Sequence, residues 1–403
     1  MAEWKTYKLR DVVQFNPTER IAKGTLAKKV SMDKLIPYCR EVSGYNLESF
    51  TGGMKFRNGD TIMARITPCL ENGKTSYVSF LEENEIGFGS TEYIVFRAIK
   101  DVTDSKFIYY FVTNPTFRSI AIKSMVGSSG RQRVQQSVLE ELEISLPSLE
   151  EQRRIAGILS AIDDKIENNR RINDNLEQQA QALYKQWFVD FDFPNEEGEP
   201  YKSSGGKMVD SELGQIPEGW SVGDIYKYVN VVYGAPYKSV LFNERKDGNP
   251  LIRIRDLKTF SPQYYTQEIL PNTEYVNAGD VVAGMDAEFV PCLWMGEKGV
   301  LNQRCCKFVG KQDSISNYYV MFLVKSELEF VQSYKTGTTV SHLGKADIDK
   351  FIVVQPPFAV IEKFSKIADA LLNNKIKLAK ENITLATLRD TLLPKLMNGE
   401  IKL

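Results

Sequence analysis

Two stretches of this chain alternate apolar and polar residues with a period of two, and each is followed by a stretch with the 3.6-residue period of a helix. Runs such as TEYIVFRA (91–98) and PLIRIRDL (250–257), bounded by Gly, Asn and Asp, predict short β-strands. Between them the pattern predicts helical stretches near 105–124 and then a loop rich in Gly and Ser. From Ile155 the apolar positions fall at alternating spacings of four and three: Ile155, Leu159, Ile162, Ile166, Asn169, Asn173, Leu176, Ala180, Leu183 and Trp187. That spacing is a coiled-coil seam. A looser version recurs in Phe364, Ile367, Leu371, Asn374, Leu378, Leu385, Leu388 and Leu392, before Pro394 and Gly399 close it.

The order of these signals repeats. EISLPSLEEQRRIAGILSAIDDKI (143–166) matches FIVVQPPFAVIEKFSKIADALLNNKI (351–376): an apolar strand, a proline stop, then an amphipathic helix. Gly127-Ser128-Ser129 recurs as Gly337-Thr338-Thr339, and NGDTIMARI (58–66) recurs as AGDVVAGM (278–285). Scaffold signals persist while the residues between them differ, which is what two domains with one geometry and two targets require.

The resulting division is a domain over 1–147, a first long helix over 148–190, a linker over 191–217 rich in Gly, Pro, Ser and acid, a second domain over 218–355 and a second helix over 356–403. The expected fold class is α+β: two globular domains of mixed strands and helices, related by a pseudo-twofold repeat and separated by two long antiparallel coiled-coil helices. Each helix is on the order of 60 Å long at 1.5 Å per residue, so the pair acts as a ruler. Asn169 and Asn173 either fix its register or mark a wetter stretch that faces another subunit's helix.

Composition adds mostly exclusions. The 403 residues are 42% hydrophobic and 26% charged, ordinary for a folded protein. No apolar signal core or membrane-length run is visible, so the cytoplasm is expected. The five cysteines, Cys39, Cys69, Cys292, Cys305 and Cys306, show no CxxC spacing, and the one histidine, His342, has no neighbouring metal ligand in sequence. Reduced thiols and no metal are expected, with Cys305-Cys306 as small strand residues. The net charge of −1 leaves no chain-wide basic surface, although basic residues outnumber acidic ones over 1–147 and 356–403.

Catalytic motifs fail in detail. NGKTS (72–76) ends like a phosphate loop, but Pro68 stands where that loop needs glycine. NPTF (114–117) approaches the tetrapeptide of adenine methyltransferases but has Thr116 for its second proline, so Asn114-Pro115 reads as a helix-end turn. A single histidine excludes paired-histidine mechanisms, and Asp163-Asp164 lies on the heptad helix. The chain is expected to be non-catalytic.

Readout of DNA needs forked or hydrogen-bonding side chains on a rigid platform. In the first domain GSSGRQRVQQ (127–136) supplies Ser128, Ser129, Arg131 and Arg133, with Arg65, Thr67 and Lys74 as second choices. In the second, GTTVSH (337–342) supplies Thr338 and Thr339, with Lys335 before it, and RIRDLK (253–258) supplies Arg253, Arg255 and Lys258. Arg253 and Arg255 are expected on one strand face, and His342 is expected to cap or pack its loop.

YKQWFVDFDFPN (184–195), GKMVDSELGQIPEGWSV (206–222), the proline-then-helix starts at 147 and 356, and the closing LRDTLLPKLMNGEI (388–401) resemble the specificity subunit of type I restriction-modification systems, over nearly the whole chain. The N-terminal EWKTYKL departs from the pattern, having Trp4 without the IPEG that precedes Trp220. The resemblance implies two target-recognition domains, each reading half of a split double-stranded DNA sequence. It also implies two methylation subunits on the central helices and restriction subunits that complete the nuclease. S-adenosylmethionine, ATP and Mg then belong to those partners, with none bound by this chain. The competing reading is a non-catalytic protein-binding scaffold with two divergent domains on a coiled-coil spacer.

Overall fold

In a computed structural model, residues 4–335, 342–401 and 403 are described. The chain divides into two compact units: Met1–Asn168 with Ile383–Leu403, and Asn169–Asn382. Both long helices, Leu149–Tyr184 and Phe358–Met397, contribute to both units.

The first unit contains an antiparallel sheet ordered Val13–Phe15, Tyr93–Ala98, Thr61–Ala64, Thr75–Tyr77. A second sheet is ordered Asn46–Ser49, Leu26–Val30, Gly87–Gly89, Met54–Phe56, with its middle pair parallel. The second unit repeats this strand for strand. Val229–Tyr233, Cys305–Gly310, Val281–Gly284 and Pro291–Leu293 form the antiparallel sheet. Tyr265–Thr266, Asn249–Ile252, Gly299–Leu301 and Tyr275–Val276 form the other, again with a parallel middle pair. A two-stranded ribbon before each long helix completes the repeat: Lys5–Lys8 with Glu143–Leu146, and Ser221–Asp224 with Ile352–Gln355.

The central strands are buried on both faces, so their burial does not alternate with the period of two. Tyr93, Ile94, Val95 and Phe96 are fully buried in the central strand of the first unit, as are Cys305, Cys306 and Phe308 in its counterpart. Both cysteines are free, and burial pushes the Cys306 thiol up to about 12 and that of Cys305 well above its ordinary value. The helical stretch near 105–124 is two helices, Ser105–Thr113 and Pro115–Lys123. Asn114 separates them: its side chain accepts the Thr116 N–H, and Pro115 starts the next helix. The second unit has no proline there and runs one 19-residue helix, Asn317–Lys335.

Three expectations need correction. First, PLIRIRDL is not one strand. Strand Asn249–Ile252 ends because the Asp256 carboxylate accepts the Arg253 N–H at 3.0 Å and starts a 3-10 turn over Ile254–Lys258. Arg253 and Arg255 therefore do not share a strand face. Second, the 191–217 segment is built into the second unit. Phe193 stacks on Tyr201 and Trp220 with ring centroids 4.7 and 5.0 Å apart, a hairpin joins Met208–Ser211 to Gly214–Pro217, and Phe193 and Ile216 are buried.

Third, the seam of the second helix lies one residue from the leucine row. Its buried positions are Ile361, Phe364, Ala368, Leu372, Lys375 and Ala379 in the second unit, and Leu393 and Leu396 in the first. Ile367 and Leu388 are 47% exposed, and Leu371, Leu378, Leu385 and Leu392 are half-buried. The shift has a polar cause. In the second unit Asn169 donates to Glu381 and Asn382 at 2.9 Å each, and Lys375 pairs with Glu177. In the first unit Arg389 pairs with Asp163 at 2.8 Å. These polar contacts occupy seam positions that an apolar pattern cannot mark, and within the second unit they run antiparallel. On the first helix Ile155, Leu159, Ile166, Asn169, Asn173, Ala180 and Trp187 are buried, while Ile162, Leu176 and Leu183 are half-buried.

Candidate nucleic-acid interface

In the first unit the Gly/Ser loop rises from a hydrogen-bonded base. Val126 and Arg133 exchange backbone hydrogen bonds at 3.0 and 2.9 Å, and the Val134 N–H donates to the Arg65 carbonyl at 2.8 Å. Within the loop the Arg131 N–H donates to the Ser128 carbonyl at 3.0 Å. Gly127 sits at φ +133°, and a Cβ there would meet the Arg131 carbonyl oxygen at 2.9 Å, so this tight return requires glycine. Ser128, Ser129 and Arg131 are exposed on the loop.

The structure sorts the candidates of this unit. The Arg131 side chain has no protein partner among the described residues and is presented to solvent. Arg133 is held by Glu92, with Nε and Nη2 donating to its carboxylate at 2.6 to 2.9 Å. That pairing keeps the Glu92 carboxyl below its ordinary range. Arg65 donates to the Val134 carbonyl at 3.2 Å. Thr67 is buried and binds Gln132 twice, through its N–H and its hydroxyl oxygen, both at 3.0 Å. Lys74 donates to the Met32 carbonyl at 2.8 Å. These last three residues support the loop and its neighbours rather than project from them.

In the second unit Thr338 and Thr339 lie outside the described residues. Lys335 bonds Asp347 at 2.6 Å and the His342 carbonyl at 2.7 Å. Arg253 stacks on Tyr264 at 4.2 Å and lies 3.5 Å from Asp256. Lys258 pairs with Glu288 at 2.8 Å on an exposed surface, where the pair contributes little energy. Arg255 is exposed with no side-chain partner among the described residues. His342 Nδ1 lies 2.7 Å from an oxygen of Asp286, and the loop residues before it lie outside the described residues.

At the loop bases two backbone hydrogen bonds and one bridge correspond between the units. Arg65 N–H donates to Glu92 carbonyl at 2.9 Å, as Met285 N–H does to Arg304 carbonyl at 2.9 Å. Val134 N–H donates to Arg65 carbonyl at 2.8 Å, as Leu343 N–H does to Met285 carbonyl at 2.7 Å. An isolated bridge joins Ile66 to Arg133 in one unit and Asp286 to His342 in the other. Glu92 thus corresponds to Arg304, Ile66 to Asp286 and Arg133 to His342. Asp286 and Arg304 carried no sequence signal, because each lies outside the glycine loop and only the fold brings it to the loop base.

Among the described residues no group of His, Cys, Asp and Glu is arranged to hold a metal ion, and no helix is long and apolar enough to cross a membrane.

Comparison with known proteins accounts for the doubled architecture. The type I restriction modification DNA specificity domain matches residues 1–178 and again 217–386. The MjaIX specificity subunit of Methanocaldococcus jannaschii is 29% identical over 331 residues, covering 75% of this chain and 70% of that protein. The HindI specificity subunit of Haemophilus influenzae is 22% identical over the full length of both. The type I restriction-modification S subunit of M. genitalium shares the fold, with a TM-score of 0.54 at 15% identity over 98% of this chain and 96% of that one. With its domain model matched twice across most of the chain, this protein belongs to the type I restriction-modification DNA specificity family.

Proposed function

We propose that this chain, a non-catalytic DNA-specificity subunit by family, reads a bipartite DNA target with its two domains, one half-site to each. The observation that carries the reading is the repeat itself. Two domains share strand order, register and loop base, yet differ in the side chains placed on that base. One geometry with two chemistries suits two half-sites of different sequence. The solvent-facing Arg131 in the first unit and Arg255 in the second are the exposed forks nearest to that task.

The methylation subunits dock on the long helices in this reading, and restriction subunits join that complex. An apolar row on the second helix supports the docking: Ile367, Leu371 and Leu378 within the second unit, Leu385, Leu388 and Leu392 within the first, all exposed or half-buried. Such rows mark surfaces awaiting a partner. S-adenosylmethionine, ATP and Mg are assigned to the partners, and flipping of the target base to the methylation subunit.

Methylome sequencing of a host with and without this gene tests the function. Loss of one discontinuous methylated motif is expected, and an unchanged methylome in a strain where the system is expressed refutes it. Docking is tested by Leu388→Glu, expected to reduce co-purification of the methylation subunits at least tenfold. Undiminished co-purification would place the interface elsewhere.

A further inference from the structure

The loop bases of the two units retain an arginine braced by a carboxylate while retaining neither residue. In the first unit Arg133 comes from the loop and Glu92 from the start of the central strand. In the second unit the corresponding loop position is His342, and Arg304 stands in the place of Glu92. The brace is now Asp286, which replaces the apolar Ile66. The cation reaches the same backbone site from the opposite side of the bridge.

The two pairs are also exposed alike. Arg133 and Arg304 are 48% and 58% exposed, while Glu92 and Asp286 are 23% and 18% exposed. Each arginine faces solvent with its carboxylate beneath it. The fold does not need this pair for stability, because a solvent-facing ion pair is worth about 0 to 1 kcal/mol. Its persistence through a complete exchange of residues points to what the guanidinium does.

Arg304 donates through Nη1 to Asp286 Oδ2 at 2.9 Å, and its Nε and Nη2 have no protein partner among the described residues. His342 Nδ1 engages the other oxygen of Asp286 at 2.7 Å. Both carboxylate oxygens are occupied, so the brace is fixed and one edge of the guanidinium stays open. A fixed fork with an open edge is what bidentate bonding to guanine O6 and N7 requires.

We propose that Arg304, positioned by Asp286 and His342, is a guanine-reading residue of the second domain, its open edge distinguishing it from Arg133, whose Nε and Nη2 are held by Glu92. This rests on the DNA-reading function above and adds the base and the side chain that reads it.

The test uses the chain assembled with its methylation subunits and duplexes that carry its methylated motif. Guanines are replaced one at a time by 7-deazaguanine, which lacks the N7 acceptor. At one guanine of one half-site the replacement is expected to weaken wild-type binding about 5- to 150-fold, the range for one bidentate contact. There it should cost Arg304→Ala nothing further, whereas replacements in the other half-site cost both proteins equally, which also reports a folded variant. Arg304→Met, which keeps the length of the side chain and has no donor, should behave as Arg304→Ala does and serves if the alanine variant fails to assemble. Equal losses for wild type and variant at every guanine overturn the proposal and leave the function standing. Failure of the wild-type complex to mark any discontinuous motif removes the function itself.

Discussion

The packing of each domain against the long helices differs most between the units. In the first unit the junction is ionic and hydrogen-bonded: Tyr110 donates to Asp163 at 2.7 Å, Arg389 pairs with the other oxygen of Asp163, and Arg40 pairs with Glu167 and Asp164. Counted from the helix starts, the second-unit counterparts of Tyr110, Asp163 and Arg389 are Phe322, Leu372 and Ala180, all buried in one apolar cluster. Gln152, buried and bonded to Asp104 N–H and two carbonyls, likewise becomes the buried Ile361. One backbone plan tolerates both solutions because packed interiors require filled volume and satisfied polar groups, not a particular residue type. The apolar version gains stability from area removed from water. The ionic version gains fixed geometry at a desolvation cost.

Removal of one ionic partner should disturb the first unit most. Asp163→Leu should destabilise the first unit by about 3 to 5 kcal/mol, since the Tyr110 hydroxyl is left buried without its acceptor and the largely buried Arg389 keeps only the exposed Asp390 as partner. The triple variant Tyr110→Phe, Asp163→Leu, Arg389→Ala reproduces the residues of the second unit and should recover most of that loss. Hydrogen exchange of the amides in Ser105–Thr113 measures both. A triple variant no more stable than Asp163→Leu would mean the two junctions are not interchangeable. In the second unit Leu372→Ala should cost about 2 to 5 kcal/mol through lost transfer energy and the cavity, checked by exchange in Asn317–Lys335.

A smaller effect separates the units by pH. Burial, with Glu41 and Asp163 nearby, raises the Glu167 carboxyl to about 7 despite the Arg40 pairing, and Arg40 itself is held well above its ordinary value. The folded state then holds the Glu167 proton more tightly than the unfolded chain does. Its stabilising contribution is complete below the unfolded pKa and is lost as pH rises through about 7, a change of roughly 1 to 3 kcal/mol. Exchange in the first unit should therefore quicken between pH 5 and 8 more than in the second, and Glu167→Gln should flatten the difference. A slope unchanged by that variant would assign the pH dependence elsewhere. An effect of similar size is expected on recognition: Arg131→Ala should weaken binding to a single half-site, by about 1 to 3 kcal/mol if the fork meets a base edge. Equal loss on both half-sites would remove Arg131 from the reading set.

Much of the plan was visible before the structure. The proline-then-helix starts correspond to helices beginning at Leu149 and Phe358, and TEYIVFRA contains the central strand Tyr93–Ala98. The bridges Ile66–Arg133 and Asp286–His342 are equivalent, while Gly337, Thr338 and Thr339 lie outside the described residues. The leucine row does not mark the seam of the second helix, because Lys375, Asn382 and Arg389 hold seam positions with partners far away in sequence. PLIRIRDL misled for a similar reason, since its alternation persists while Asp256 turns the backbone. At the loop bases the sequence marked Arg131 and Arg133 by their place beside glycines, but it could not show that Glu92 holds one of them and leaves the other open.

The doubled α+β plan, the two long helices and the place of the loops are legible in the sequence, because periodicity, proline and glycine act on the backbone within a few residues. Folding alone reveals which charges are paired, which face of the second helix is buried, and that Arg304 with Asp286 stands where Glu92 and Ile66 stand in the other unit. Those outcomes depend on side chains brought together from more than fifteen residues apart, and burial and pairing at such distances leave no local pattern to read.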